Sequence, residues 1–276
     1  MNQSLSGGLF KYILYLGCIF FIAGCSVNKA NLDDSLKVYF DKHQVDGCFS
    51  FFNNKDGKVT VYNMKYDTAR FIPAASFDIV NSLIGLETGR IADEKMMVKW
   101  DGIQTMNPAW DKDFSLDTAF KVNADPFFRQ IATRIGKDTM QRWLDSLHYG
   151  TGKVGLDIDS FWLNHSLRIS PDEQLGLMKR LYFDQLPFQK RTQQIVRDLM
   201  SQENNTVYRI SYKIAQANED ANHSICWVTG WVEENQHPYF FTLLVKADAG
   251  KSDLSAAAKN ILYEILEKYG FLKGVM

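Results

Sequence analysis

The order of hydrophobic patterns along the chain constrains its fold more than any single residue does. Strand-like runs come early, from Gly47 to Asn53 and from Lys58 to Asn63, joined by the turn Asn54-Lys55-Asp56-Gly57. Three more come late, from Thr206 to Ile214, Ser224 to Glu233 and Tyr239 to Lys246, with hairpin-like connections. Between them the apolar spacing is helical. Ser76 to Thr88 reads as a long apolar helix stopped by Gly89, and Asp125 to Ile135 as a helix with Pro126 in its first turn. Ser170 to Arg180 starts on the capping sequence Ser170-Pro171-Asp172-Glu173. Helical spacing also marks Leu32 to His43 and Ala256 to Tyr269, while Asp101 to Leu116 is loop-rich. Strands first and last with helices between predict an α+β fold, one antiparallel sheet completed by both ends of the chain. A length of 276 residues allows one large domain or two small ones, and a hydrophobic fraction of 46% is enough for a full core. The net charge is −1 with no basic stripe, so nothing points to nucleic acid.

The first two dozen residues follow a different logic. Lys11 precedes YILYLGCIFFIAGC, an apolar run too short to span a bilayer as a stable helix, which reads as a secretory signal. It ends in Ile22-Ala23-Gly24-Cys25, which resembles a bacterial lipobox. That resemblance implies cleavage before Cys25 and acylation of Cys25, with two or three chains anchoring the protein in a lipid bilayer where one would be marginal. The expected organisation is a lipoprotein signal over 1–24, a lipidated Cys25 with a short tether over 25–35, and one domain over 36–276. The expected location is exported, membrane-anchored and facing the periplasm.

The stretch from Arg70 to Gly89, RFIPAASFDIVNSLIGLETG, closely resembles the active-site helix of class D (oxacillinase-type) β-lactamases and of related penicillin-receptor domains. The likeness continues through Lys99-Trp100-Asp101-Gly102 and Trp110, through FRQIATRIG at 128–136, and through Tyr149-Gly150. It resumes at Phe161-Trp162-Leu163 with Leu167-Arg168-Ile169-Ser170, and at Gly230-Trp231-Val232-Glu233 running into Tyr239-Phe240-Phe241. The resemblance implies the penicillin-recognising (serine β-lactamase/transpeptidase-like) fold, an antiparallel sheet flanked by helices with an inserted helical lobe. If the family's sheet order holds, another strand separates Cys48 from Cys226, which implies two buried thiols rather than a disulfide.

The chemistry of that family is altered in this chain at each motif. Pro-Ala-Ser-x-x-Lys supplies the acylated serine and, three residues on, the lysine that is carbamylated to serve as its base. Here those positions are Ala75 and Asp78. Ser-x-Val has become Asn123-Ala124-Asp125, Lys-(Thr/Ser)-Gly on a sheet-edge strand has become Lys213-Ile214-Ala215, and Tyr-Gly-Asn has become Tyr149-Gly150-Thr151. The carboxylate-clamping arginine expected near the last helix is absent from Leu254 to Ala258. The neighbouring hydroxyl, Ser76, is rotated about 100° around the helix and has Ile79 at i+3 rather than a base.

The resemblance therefore implies a β-lactamase-like protein without its catalytic machinery, acting as a binding, sensing or scaffolding module near the cell wall. The alternative is an active β-lactamase or penicillin-binding protein that uses an unrecognised nucleophile. Asp78 and Asp125 are expected to approach the family's carbamate pocket together, sharing a proton or a cation, with Trp162 donating to Asp78 and Lys213 pairing with one of the acids. A small-molecule or cell-wall ligand in the family's cleft is the expected partner; no protein partner is readable. No cofactor is indicated, and the five histidines (His43, His148, His165, His223, His237) show no metal-ligand spacing.

Overall fold

The computed structural model describes residues 30–250 and 253–273. The segment read from sequence as a signal, Cys25 and the start of the expected tether lie outside the described residues. In chain order the elements are β1 (Asn31–Leu32), α1 (Lys37–Lys42), β2 (Asp46–Asn53), β3 (Lys58–Tyr62), α2 (Met64–Asp67) and α3 (Asp78–Glu87). Then come β4 (Met97–Val98), β5 (Phe114–Ser115), α4 (Leu116–Val122), α5 (Asp125–Ile135), α6 (Lys137–Leu147), α7 (Pro171–Tyr182) and α8 (Lys190–Leu199). The chain closes with β6 (Ser201–Asn204), β7 (Tyr208–Asn218), β8 (His223–Glu234), β9 (His237–Asp248) and α9 (Leu254–Lys268).

The main sheet has the order β1-β3-β2-β9-β8-β7-β6, so the first strands join the last through the β2–β9 pair. Phe49 pairs with Leu243 there, and Phe51 with Phe241. All pairs are antiparallel except β1–β3, which runs parallel. Asn31 and Leu32 already belong to this sheet, so the folded body begins before residue 36, the boundary read from the sequence. The reason is a long-range pairing that local periodicity does not announce.

Each face of the sheet carries its own core, because successive strand residues point to opposite sides. Phe49, Phe51, Cys226, Val228 and Phe241 pack under α1 and α9. Cys48, Trp227, Phe240 and Leu244 face the helical lobe. Cys48 and Cys226 are thus separated twice: by β9, which places their strands about 10 Å apart, and by facing opposite sides. Both are free and buried.

Local chemistry sets the helices that reach the site. Ser170 caps α7 reciprocally, accepting from the Glu173 backbone N–H at 3.2 Å while its own N–H donates to Glu173 Oε2 at 2.9 Å. α3 is buried along its length and ends at Gly89, whose φ of +66° favours glycine. A 3-10 turn, Ala74–Phe77, leads into α3 and lies against β7.

Candidate functional site

The turn at Ala74–Phe77 is held by groups that lie outside the centre it presents. Ala74 has φ +50°, a left-handed conformation that costs a non-glycine residue roughly 1 kcal/mol. Its N–H donates to the Trp162 carbonyl at 3.1 Å. The chain leading in is pinned at Ile72, whose N–H donates to Glu219 Oε2 (3.1 Å) and whose carbonyl accepts from Trp227 Nε1 (2.9 Å). Arg168 braces the same segment, donating to Glu219 at 2.6 Å and to the Arg70 carbonyl. Arg70 in turn makes a two-pronged ion pair with Glu173. Gly150 is needed where it stands: its φ is +51°, and a Cβ there would lie 2.0 Å from the Arg168 carbonyl oxygen.

This frame presents a methyl group. Ala75 is half-buried and has no atom able to attack a carbonyl. Ser76, the adjacent hydroxyl, is turned inward and fully engaged. It donates to the Pro73 carbonyl at 2.6 Å and accepts from Gln174 Nε2 at 2.8 Å. Gln174 also reaches the Tyr149 hydroxyl at 3.4 Å, and burial pushes that phenol far above its ordinary range.

One turn along, Asp78 meets Lys213 from β7. Their closest atoms, Oδ2 and Nζ, are 2.9 Å apart, and both side chains are 3% exposed. The contact is an ion pair by distance without the alignment of a hydrogen bond, and Oδ2 has no aligned donor. The ammonium also donates to the Phe120 carbonyl (2.7 Å) and lies 3.8 Å from the centre of the Phe120 ring. Burial pushes the Asp78 carboxyl up to about 6 against the pull of Lys213, and the Asp125 charge adds to the rise. Burial likewise pushes the Lys213 ammonium down, against the pull of Asp78.

The remaining expected residues divide. Asn123 ends α4 in the left-handed region at φ +51° and donates from Nδ2 to the Ile214 carbonyl at 3.1 Å, linking the helical lobe to the sheet. Lys213 to Ala215 do lie on an edge, since β6 pairs only with the earlier part of β7, up to Ser211. Ala215 faces the lobe, whereas Ile214 packs into the opposite core under α9, away from the cleft.

Asp125 is near enough for its charge to act on Asp78, but no hydrogen bond joins the two acids. It turns to Arg129, one helical turn along α5, with Oδ2 2.6 Å from Nε, because an i, i+4 guanidinium offers a nearer counterion. Trp162 is buried and stacks on Phe77, ring centres 5.5 Å apart; no hydrogen bond joins it to Asp78. At the start of α9, where a clamping arginine is missing, Ser255 N and Oγ donate to Gln216 Oε1, each at 3.0 Å. Thr151, standing for asparagine, is used locally and accepts from the Arg168 N–H at 3.1 Å.

Sequence reasoning missed Phe120 and Gln174, whose contacts arise only in three dimensions. The Asp125–Arg129 pair carried a readable i, i+4 signal. Among the described residues no cluster of His, Cys, Asp and Glu could hold a metal ion. The arrangement can hold fixed charges and accept a ligand by contact. At the nucleophile and base positions it offers a methyl group and an ion-paired carboxylate.

Comparison with known proteins fits this geometry. The penicillin binding protein transpeptidase domain matches residues 47–267. β-Lactamase OXA-5 of Pseudomonas aeruginosa is 32% identical over 262 residues, 94% of this chain and 97% of that protein. Among solved structures, FUS-1 (OXA-85), a class D β-lactamase from Fusobacterium nucleatum subsp. polymorphum, superposes with a TM-score of 0.83 at 32% identity, covering 88% of this chain and 100% of that one. The C-terminal domain of the Bacillus licheniformis BlaR penicillin-receptor superposes with a TM-score of 0.82 at 29% identity, covering 87% and 96%.

Proposed function

The chain belongs to the penicillin-binding-protein transpeptidase family and is homologous to class D β-lactamases; from that membership we propose a catalytically inactive lipoprotein that binds, senses or scaffolds near the cell wall. Its anchor in this reading is acylated Cys25, and its domain faces the periplasm. The observation that carries the reading is the Asp78–Lys213 pair, set beside the methyl of Ala75. In a serine acyl-transfer enzyme the serine attacks and a base accepts its proton. Here the nucleophile position has no oxygen, and the base position holds a short carboxylate already paired with the lysine of the third motif. Losing the nucleophile alone costs a serine hydrolase on the order of 10⁶ in kcat.

A non-catalytic role has a precedent of architecture. The BlaR relative is a penicillin receptor by name, so this domain type also serves as a sensor. Ser76 does not favour the active alternative, since both hydroxyl interactions tie it to the protein.

The test is intact-mass spectrometry of the purified protein after incubation with benzylpenicillin and with a carbapenem. The expected result is an unchanged mass with both. A stoichiometric adduct would overturn the reading, and peptide mapping would identify the residue that took over.

A further inference from the structure

The chain enters its sheet at one end, a short way from the expected anchor. β1 runs parallel to β3, with Asn31 beside Thr60 and Leu32 beside Val61. The chain therefore reaches Asn31 from the end where β3 begins, beside the β2–β3 turn. Cys25 lies six residues before Asn31. Six residues span at most about 20 Å, however they run. A body of this size is about 45 Å across, so an anchor at Cys25 keeps this end of the sheet near the bilayer.

Charge selects the surface within that reach. Asn53 pairs with Tyr239, just past the β8–β9 turn, and Tyr208 pairs with Glu234, just before it. The β2–β3 turn, the β8–β9 turn at Asn235 and Gln236, and the loop before β7 thus stand at one end of the sheet. The segment after α9 joins them, since the Leu272 N–H donates to Glu234 Oε1 at 2.6 Å. Exposed there are Lys55, Lys58 and Lys273 against Asp56. The nearby acids are already engaged or buried: Glu233 pairs with Arg209 at 3.0 Å, and Glu234 is 2% exposed. Among the described residues this end is therefore positive. The α1 flank, the other surface close to β1, exposes Asp34, Asp41 and Asp46 against Lys37 and Lys42 and is negative.

We propose that the domain rests on an anionic bilayer through this end of the sheet, with Lys55, Lys58 and Lys273 against the lipid headgroups. The inference rests on the reading of Cys25 as the anchor. It also sets the height of the cleft. The row through Ala215 crosses Trp227, Leu244 and Cys48. Cys48 is five residues from Asn53, about 17 Å along the strand, so the motif on β7 is held off the lipid surface rather than pressed against it.

The test couples the chain beginning at Cys25 to a maleimide phospholipid in phosphatidylglycerol vesicles. Cys48 and Cys226 are buried and do not compete for the maleimide. Coupling imposes the anchor, so the outcome does not depend on acylation in the cell; the mass of the amino-terminal peptide of cell-made protein tests that reading separately. Exposed lysines are acetylated with a water-soluble reagent and mapped by mass spectrometry, against the same chain with Cys25 capped and no vesicle. Labelling of Lys55, Lys58 and Lys273 should fall about fivefold on the vesicles, the factor by which even one net positive charge favours an anionic surface. Lys99 and Lys121, on the helical lobe, should be labelled as before. The protection should weaken when phosphatidylcholine replaces phosphatidylglycerol. Uniform labelling, stronger protection of Lys99 or Lys121, or protection that ignores headgroup charge would each overturn the proposal.

Discussion

The frame around the nucleophile position and the centre it surrounds are built from the same kinds of groups, arginines, lysines and buried acids, yet they are wired differently. In the frame both acids reach backbone. Glu219 takes the Ile72 N–H as well as Arg168, and Glu173 takes the Ser170 N–H as well as Arg70. In the centre Asp78 faces Lys213 with an unaligned oxygen, and only Lys213 reaches backbone, at Phe120. The frame fixes the path of the chain; the centre neutralises itself. This separation explains how the family's fold persists while its reactive groups differ: the left-handed Ala74 turn is held by the backbone carbonyl of Trp162 and, through Ile72, by Glu219 and Trp227, whatever stands at positions 75 and 78.

The largest expected effect breaks the centre. Lys213→Met leaves the Asp78 carboxylate buried without a counterion, a loss of about 3–5 kcal/mol. On a domain of this size that lowers the melting temperature by roughly 10 °C. Adding Asp78→Leu should restore most of it, since replacing both partners of a buried pair with apolar groups is often neutral. Calorimetry on the single and double variants checks this. If the double variant is no more stable than the single, Lys213 does more than neutralise Asp78 and the contrast between frame and centre fails.

That centre was partly legible from sequence. The strand–helix–strand order, the Ser170 capping box, the Gly89 stop and the two unpaired thiols follow from local rules and motif order, and each appears in the structure. Lys213 pairing with an acid was also readable. What failed were statements about orientation. Asp125 and Asp78 carry the same charge in adjacent motifs, and the i, i+4 spacing by which Arg129 takes Asp125 was written in the sequence but outweighed there by the motif alignment. Ile214 sits between Lys213 and Ala215, and strand alternation sends it to the far core. Short or strongly polar segments such as α2, α4, α6, α8 and β6 were not anticipated either, because tertiary packing rather than a long apolar stripe defines them.

A smaller effect probes the bridge between lobe and sheet. Asn123→Ala loses the hydrogen bond to the Ile214 carbonyl and puts alanine at φ +51°, together about 2 kcal/mol. Asn123→Gly loses the bond but suits the backbone, so its cost should be about half. Urea unfolding of both variants separates the two contributions. Equal losses would mean that the side-chain bond alone matters and the left-handed cap does not.

The smallest effect sets two buried aspartates against each other. Asp67, on α2, is 3% exposed; its partner is the Ser50 hydroxyl, with no cation at hand. Burial pushes its carboxyl up to about 6, opposed by the Ser50 hydrogen bond and helped by the Asp172 charge. In the unfolded chain the same group titrates near the ordinary value of about 3.9. Between those values the folded protein holds a proton that the unfolded chain has lost, so stability falls as pH rises. The decline is complete above the folded value. Asp67→Asn keeps an oxygen for Ser50 and removes the titration, so the variant should melt about 2–5 °C above the parent at pH 7.5, with the gap closing toward pH 4. Asp78→Asn should shift the other way at pH 7.5, because it strips the counterion from buried Lys213. Melting curves of both variants across pH 4 to 8 decide it. If the two shifts share a sign, the buried cation beside Asp78 is not what distinguishes the centre from the frame.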